Sequence, residues 1–239
     1  MTMPSSNRGN TAAQVPAPSG DAAWRALLDA ATDRYRASGR FGYHFARGKL
    51  GRDPVFRHII ASGLLAPAGQ QGDVRLLDIG SGQSLLASLA HAARTAQLEG
   101  HWPTAWQPAP APLRYTGLEL MPKDVARAHA ALADLPRPPT LICGNMCDAP
   151  LPPSDVVVIL DVLHYVDIAA QDAVLARVYE SLRPGGRLLL RVGDQSSPRG
   201  FAASQWVDRI VTNIRGHRAA PTWGRPLAAW VAQLERLGF

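Results

Sequence analysis

The sequence predicts an α/β chain in which a doubly wound, mostly parallel sheet follows an N-terminal helical cap. Three observations carry this expectation. The run Val74-Arg-Leu-Leu-Asp-Ile-Gly-Ser-Gly-Gln-Ser-Leu-Leu86 reads as an apolar strand, a glycine turn and the start of an apolar helix. Such a sheet presents its backbone to a nucleotide-like ligand in this way. The run Asp155-Val-Val-Val-Ile-Leu-Asp161 is β-branched and aliphatic between its end acids, the signature of a parallel strand buried on both faces and therefore internal to the sheet. Strand patterns alternate with helix patterns four times, which specifies parallel crossover units.

The elements follow in order. Residues 1–20 are rich in Ser, Pro, Ala and Gly and are expected to form a disordered tail. From Asp21 to Ser38, apolar residues at 23, 27, 28, 31 and 35 make a helical stripe with an acid at its start. Phe41 to Phe56 follows, dense in aromatic and basic groups and interrupted by Gly42, Gly48 and Gly51. This segment suits a lid over a site, with Tyr43, His44 and Arg47 as its candidates, because a guanidinium clamps a carboxylate or phosphate. Simple packing of Tyr43, Phe45 and Phe56 on the sheet is the competing reading. Residues 21–70 are thus assigned to the cap, and residues 71–239 to the sheet domain.

After the glycine turn, the proline-rich stretch Trp102 to Pro112 reads as a surface insertion. The strand Arg114 to Glu119 ends in an acid, and Pro122 opens a helix pattern that runs to Leu132. A carboxylate at the carboxyl end of a strand can accept both hydroxyls of a ribose, or simply be solvated. Thr140 to Cys143 is a third strand, leading into Gly144-Asn-Met-Cys-Asp148. Beyond the strand that ends at Asp161 come Val162-Leu-His-Tyr165, a helix from about Ala169 to Leu182, the turn Arg183-Pro-Gly-Gly186 and a strand from Arg187 to Val192. Arg225 to Phe239 reads as a last helix with Gly238 as its stop.

Composition narrows the class. A chain of 239 residues, 46% apolar, holds one α/β core with a small accessory layer. No run reaches the roughly 18 apolar residues of a membrane helix, and the first twenty residues lack a signal-peptide core; a cytoplasmic protein is expected. Cys143 and Cys147 match neither a C-x-x-C redox pair nor a zinc knuckle, so no metal is implied. The net charge of +6 is spread along the chain, with Lys only at 49 and 123. This argues against nucleic acid as a partner and leaves a basic face that could serve an acidic protein such as an acyl carrier.

Two glycine patterns compete at the first turn. A dinucleotide fingerprint requires Gly or Ala at position 85, which is Leu85. What remains is Asp78-x-Gly80-x-Gly82, which resembles the first motif of the class I S-adenosylmethionine-dependent methyltransferases, with Ser84 where a third glycine is frequent. The resemblance implies the Rossmann-like fold of that class and S-adenosyl-L-methionine as cofactor. It implies contacts from Asp78, Gly80, Ser81 and Gly82, from Glu119 and Leu120 after the second strand, and from Asp161 after the fourth. Gly144 to Asp148 resembles the family's adenine-contacting turn, with Asn145 where most relatives have Asp, followed by Met146; an amide oxygen still accepts from the adenine amino group.

The wording Tyr-His-Phe-Ala-Arg-Gly-Lys-Leu, Gly-Leu-Glu-Leu-Met-Pro, Leu-Asp-Val-Leu-His-Tyr and Gln-Trp-Val-Asp-Arg is similar to bacterial methyltransferases of aryl polyene and xanthomonadin-type pigment pathways. That likeness implies a phenolic or polyenoic acyl acceptor, as a small molecule or bound to an acyl carrier protein.

Methyl transfer from a sulfonium needs chiefly in-line alignment, and a base only where the acceptor carries a proton. His164, just past the internal strand, is the candidate base because imidazole titrates near neutrality; a histidine packed against backbone is the competing reading. Asp161 is a candidate to orient cofactor or base, and Tyr165 to shape the acceptor pocket. The class closes its sheet with a terminal β-hairpin that the sequence after the last helix does not supply. The expectation is a truncated domain, or a homodimer that covers the edge. Two alternatives of different class stand beside the small-molecule enzyme: an RNA or protein methyltransferase, and an inactive cofactor-binding remnant.

Overall fold

Val156, Val157, Val158 and Ile159 are fully buried, because their strand has a neighbour on each side and helices above and below. The computed structural model describes residues 18–67, 69–70, 72–196 and 222–239. Five strands, β1 (Val74–Ile79), β2 (Leu113–Glu119), β3 (Thr140–Cys143), β4 (Ser154–Leu160) and β5 (Leu182–Arg191), form one sheet of order β3-β2-β1-β4-β5. Every pairing is parallel. The order reverses between β1 and β4, and the carboxyl ends of these two strands therefore flank the crevice where such sheets bind ligands.

Helices cover both faces. On one lie α4 (Leu85–Leu98) and α5 (Pro122–Leu132), with a cap made of α1 (Gly20–Asp33), a 3-10 turn (Arg34–Ser38), α2 (Gly39–Arg52) and α3 (Pro54–Ala61). On the other lie α6 (Ile168–Ser181) and α7 (Leu227–Leu237). The side chains of Val74 and Leu76 join the first core, and those of Leu77 and Ile79 the second, as strand alternation requires.

Side chains and glycine close the helix ends. Ser19, Asp53 and Asp167 cap α1, α3 and α6 by accepting from the amides of Ala22, Val55 and Ala170. Gly238 ends α7 with φ +92°. The helix expected from Asp21 to Ser38 tightens to 3-10 geometry at Arg34. The tail expected over 1–20 lies outside the described residues up to 17, and Gly20 is already helical.

Two expectations change. The Trp102 to Pro112 stretch is a wedge rather than a surface loop. Ala109 is buried, Trp102 and Trp106 pack on the cap side of the core, and the Gln107 amide donates to the Ala61 carbonyl at 2.9 Å. The last strand begins at Leu182 with an interrupted ladder, Ser154 facing Leu182 and Val156 facing Arg187, and Gly185 takes φ +75° within the interruption. Among the described residues β5 pairs on one side only, with β4. Gln-Trp-Val-Asp-Arg, residues 205–209, lies outside the described residues.

Candidate active site

The glycine turn closes onto both neighbouring strands. The amides of Gly80 and Ser81 donate to the Leu118 carbonyl of β2 at 2.8 and 3.1 Å. Gly80 has φ +73°, and a Cβ there would fall 2.3 Å from Val162 Cγ1; no side chain fits between β1 and the segment after β4. Gly82, with φ +56°, is the opposite case, since a Cβ there would meet nothing within 4 Å. The turn therefore presents bare backbone to open space. Ser84, also left-handed at φ 53°, opens α4, and its hydroxyl lies 3.2 Å from that of Ser81.

Glu119 closes the crevice at the end of β2. Its carboxylate accepts from the Gly82 amide and the Met121 amide, each at 2.8 Å. Leu120, the next residue, leaves 61% of its surface exposed, an apolar patch that a flat ring would cover. The turn after β3 lies alongside, because the Gly144 amide donates to the Glu119 carbonyl at 2.9 Å. In this turn Asn145 Oδ1 accepts from the Cys147 amide at 3.0 Å, which leaves the oxygen one further lone pair. Met146 packs its side chain on the second core.

Asp78 sits beneath the turn, buried, on the side facing the cap. It accepts from the Tyr115 hydroxyl. Burial pushes its carboxyl up to about 7, against the lowering effect of the Tyr115 hydrogen bond, and the Glu119 charge adds to the rise. Burial also raises the Tyr115 phenol well above its ordinary value.

Beyond β4, Asp161 takes φ 56° and pairs with the Arg191 guanidinium. The 3-10 turn Leu163–Tyr165 follows, with the His164 and Tyr165 rings 4.2 Å apart. The His164 carbonyl accepts from the Trp223 amide at 2.8 Å, so the segment ahead of α7 pins this turn.

The structure thus brings Asp78, Gly80, Ser81, Gly82, Glu119, Leu120, Asn145, Met146, Asp161, His164 and Tyr165 to one end of the sheet. The three lid candidates lie on α2, where their contacts run within the cap. Arg47 pairs with Asp29 of α1, the Tyr43 ring meets His44 edge-on at 5.2 Å, and the Arg36 guanidinium stands 4.2 Å over Tyr43. The cap residue that reaches the turn is Tyr35, fully buried, whose hydroxyl donates to the Gln83 carbonyl at 2.7 Å. Three further residues had no motif to mark them. Arg177 of α6 donates to the carbonyls of Met146, Cys147 and Ala149. Asp53 and Arg191 link the cap to Asp161. Among the described residues no cluster of three or more metal-ligating side chains occurs.

Comparison with known proteins gives this end of the sheet its context. Residues 77–188 match the family model of a methyltransferase domain. This stretch is similar to a methyltransferase domain over 112 of the 239 residues. The fold of the chain is that of the magnesium protoporphyrin IX methyltransferase ChlM from Synechocystis with SAH bound, at 18% identity and a TM-score of 0.53, covering 92% of this chain and 89% of that one. The methyltransferase SibL in its apo form gives the same TM-score at 20% identity, with 83% and 51% covered. A stretch of 81 residues, 33% of this chain, is 36% identical to the tetracenomycin polyketide synthesis 8-O-methyl transferase TcmO of Streptomyces glaucescens. That stretch spans 24% of the relative's length. No helix of the described residues is long and apolar enough to cross a membrane.

Proposed function

We propose that this methyltransferase domain transfers the methyl group of S-adenosyl-L-methionine to an oxygen of a phenolic or polyenoic acyl acceptor, free or carried by an acyl carrier protein. The observation that carries the cofactor reading is Glu119, held by the amides of Gly82 and Met121 at the mouth of the open glycine turn. Glu119 would hold the ribose hydroxyls there, and Leu120, Asn145 and Met146 would receive the base. Gly80, Ser81 and Gly82 bring bare backbone to the methionine end of the ligand, above Asp78. The oxygen acceptor rests on the likeness to an 8-O-methyl transferase, and its acyl class on the motif wording of the chain.

The cofactor supplies an electrophilic methyl on a sulfonium. The chain's own part is alignment and one proton. Asp161 and the His164 turn face the switch point between β1 and β4, where an acceptor meets the methyl in line. His164 would take the acceptor proton as the acceptor oxygen bonds to the methyl carbon and the carbon-sulfur bond breaks to release the neutral sulfide, which matters because a phenol stays protonated near neutrality (pKa about 10). Tyr165 bounds the acceptor side.

Calorimetric titration of S-adenosyl-L-methionine tests the reading. Micromolar binding is expected for the parent chain, weakened about tenfold or more in Glu119→Ala, which loses two hydroxyl contacts to a carboxylate. A cooperatively folded parent that binds no cofactor overturns it.

A further inference from the structure

The cap and the site are joined by one guanidinium. Arg191, the last residue of β5, donates to Asp53 through Nη1 and Nη2, both at 2.7 Å, and to Asp161 through Nε at 3.0 Å and through Nη2. Lys49 adds a bond to Asp53 at 2.9 Å. The two carboxylates have different stations. Asp53 is in the cap, where it is the N-cap of α3, and Asp161 stands at the carboxyl end of β4, next to the Val162 side chain that abuts Gly80. Asp53 and Arg191 are each less than a third exposed and Asp161 about a third, so solvent screens the network only in part. Burial alone would raise the Asp53 carboxyl, and Arg191 with Lys49 outweighs it, holding the group well below the usual carboxylate range.

One positive fork shared between two carboxylates sets how much negative charge Asp161 shows to the crevice. The reaction changes the charge of the ligand there, because a sulfonium is a cation and the sulfide it leaves is neutral. We propose that Asp53 and Arg191 are positioning residues which, by dividing the Arg191 charge between the cap and Asp161, set the preference of this site for the sulfonium cofactor over its sulfide product. The inference rests on the cofactor reading above. It also couples cap seating to charge: with the cap docked, Asp53 holds part of Arg191 and Asp161 keeps its attraction for a cation.

The two positions move the preference in opposite directions. In Asp53→Asn the guanidinium goes wholly to Asp161, and affinity for the sulfonium falls relative to the sulfide. In Arg191→Gln, Asp161 is no longer neutralised, and relative affinity for the sulfonium rises. Each change amounts to about fivefold for unit charges several ångströms apart in a partly screened site. Asparagine caps a helix as well as aspartate does, so Asp53→Asn keeps α3 and remains a folded test where Arg191→Gln loses stability.

Calorimetric affinities of S-adenosyl-L-methionine and S-adenosylhomocysteine are measured on the parent and both variants, with melting curves. A ratio lowered in Asp53→Asn and raised in Arg191→Gln is the expected result. Equal losses for both ligands, or a shift in the same direction in both variants, overturn the inference and leave a purely structural strap. A folded parent that binds neither ligand overturns instead the cofactor reading on which it rests.

Discussion

Asp78 shows how much a single position depends on its surroundings. Its carboxyl is buried under the glycine turn with a tyrosine hydroxyl for a partner, and its folded-state value of about 7 exceeds the ordinary carboxylate value. Between those values the folded protein holds a proton that the unfolded chain has lost, so this residue makes stability fall as pH rises from about 4 to 7. Asp78→Asn carries no ionisable proton. Its stability should change little relative to the parent at pH 4 and improve by up to about 4 kcal/mol by pH 8, read by urea unfolding across a pH series. A difference that stays constant with pH would show that the carboxyl ionises freely in the folded state. The motif Asp78-x-Gly80-x-Gly82 was legible because glycine is required where φ is positive and where Val162 leaves no room for a Cβ. Tyr35 was not legible, since an aromatic residue in a helical stripe reads as packing and nothing local announces a bond to the backbone of a turn 48 residues away.

Among the elements, the turn after β3 depends on a helix that follows β4. Arg177 lies on α6 and gathers three carbonyls of residues 146–149 into one guanidinium. Charge-assisted bonds of this kind contribute roughly 1.5–3 kcal/mol each when a partner is lost. Arg177→Met keeps the aliphatic stem and removes the donors. It should speed amide hydrogen exchange in residues 145–149 and weaken S-adenosyl-L-methionine binding about tenfold, with the other strands still protected. Unchanged exchange there would mean that the Asn145 carbonyl, accepting from the Asp148 and Ala149 amides, holds the turn alone. The strands themselves could be read in advance because β1 and β4 are buried on both faces and carry the continuous apolar runs this demands. The Trp102 to Pro112 wedge was misjudged from its prolines, because composition does not reveal that two tryptophans have the cap to pack against.

For the whole molecule, the segment from Thr222 to Phe239 is keyed to α6 by a buried arginine. Arg225 donates to Gln171 and Asp172 and to the Ile168 carbonyl, and it stands 4.8 Å over the Trp230 ring. Its loss leaves the buried Gln171 side-chain oxygen without this donor. Arg225→Met should cost about 2–4 kcal/mol in denaturant unfolding, and it should also release the Trp223 amide from the His164 carbonyl, so that the His164 turn loses exchange protection. A variant as stable as the parent, with that turn still protected, would show that α7 docks through Trp230 and its apolar neighbours alone.

The sequence by itself determined the strand-turn-helix units, their parallel pairing, the glycine turn and the acid after β2. Each of these is written in local periodicity, in backbone that only glycine adopts, or in apolar runs that only a doubly covered strand can bury. Tertiary structure alone decided that Arg191 joins Asp53 to Asp161, that Arg177 reaches the turn after β3, and that Tyr35 rather than Tyr43, His44 or Arg47 touches the glycine turn. Those pairings span from 28 to 138 residues of chain. A long polar side chain carries no local mark of its partner, which is set only when the sheet order brings distant strand ends together.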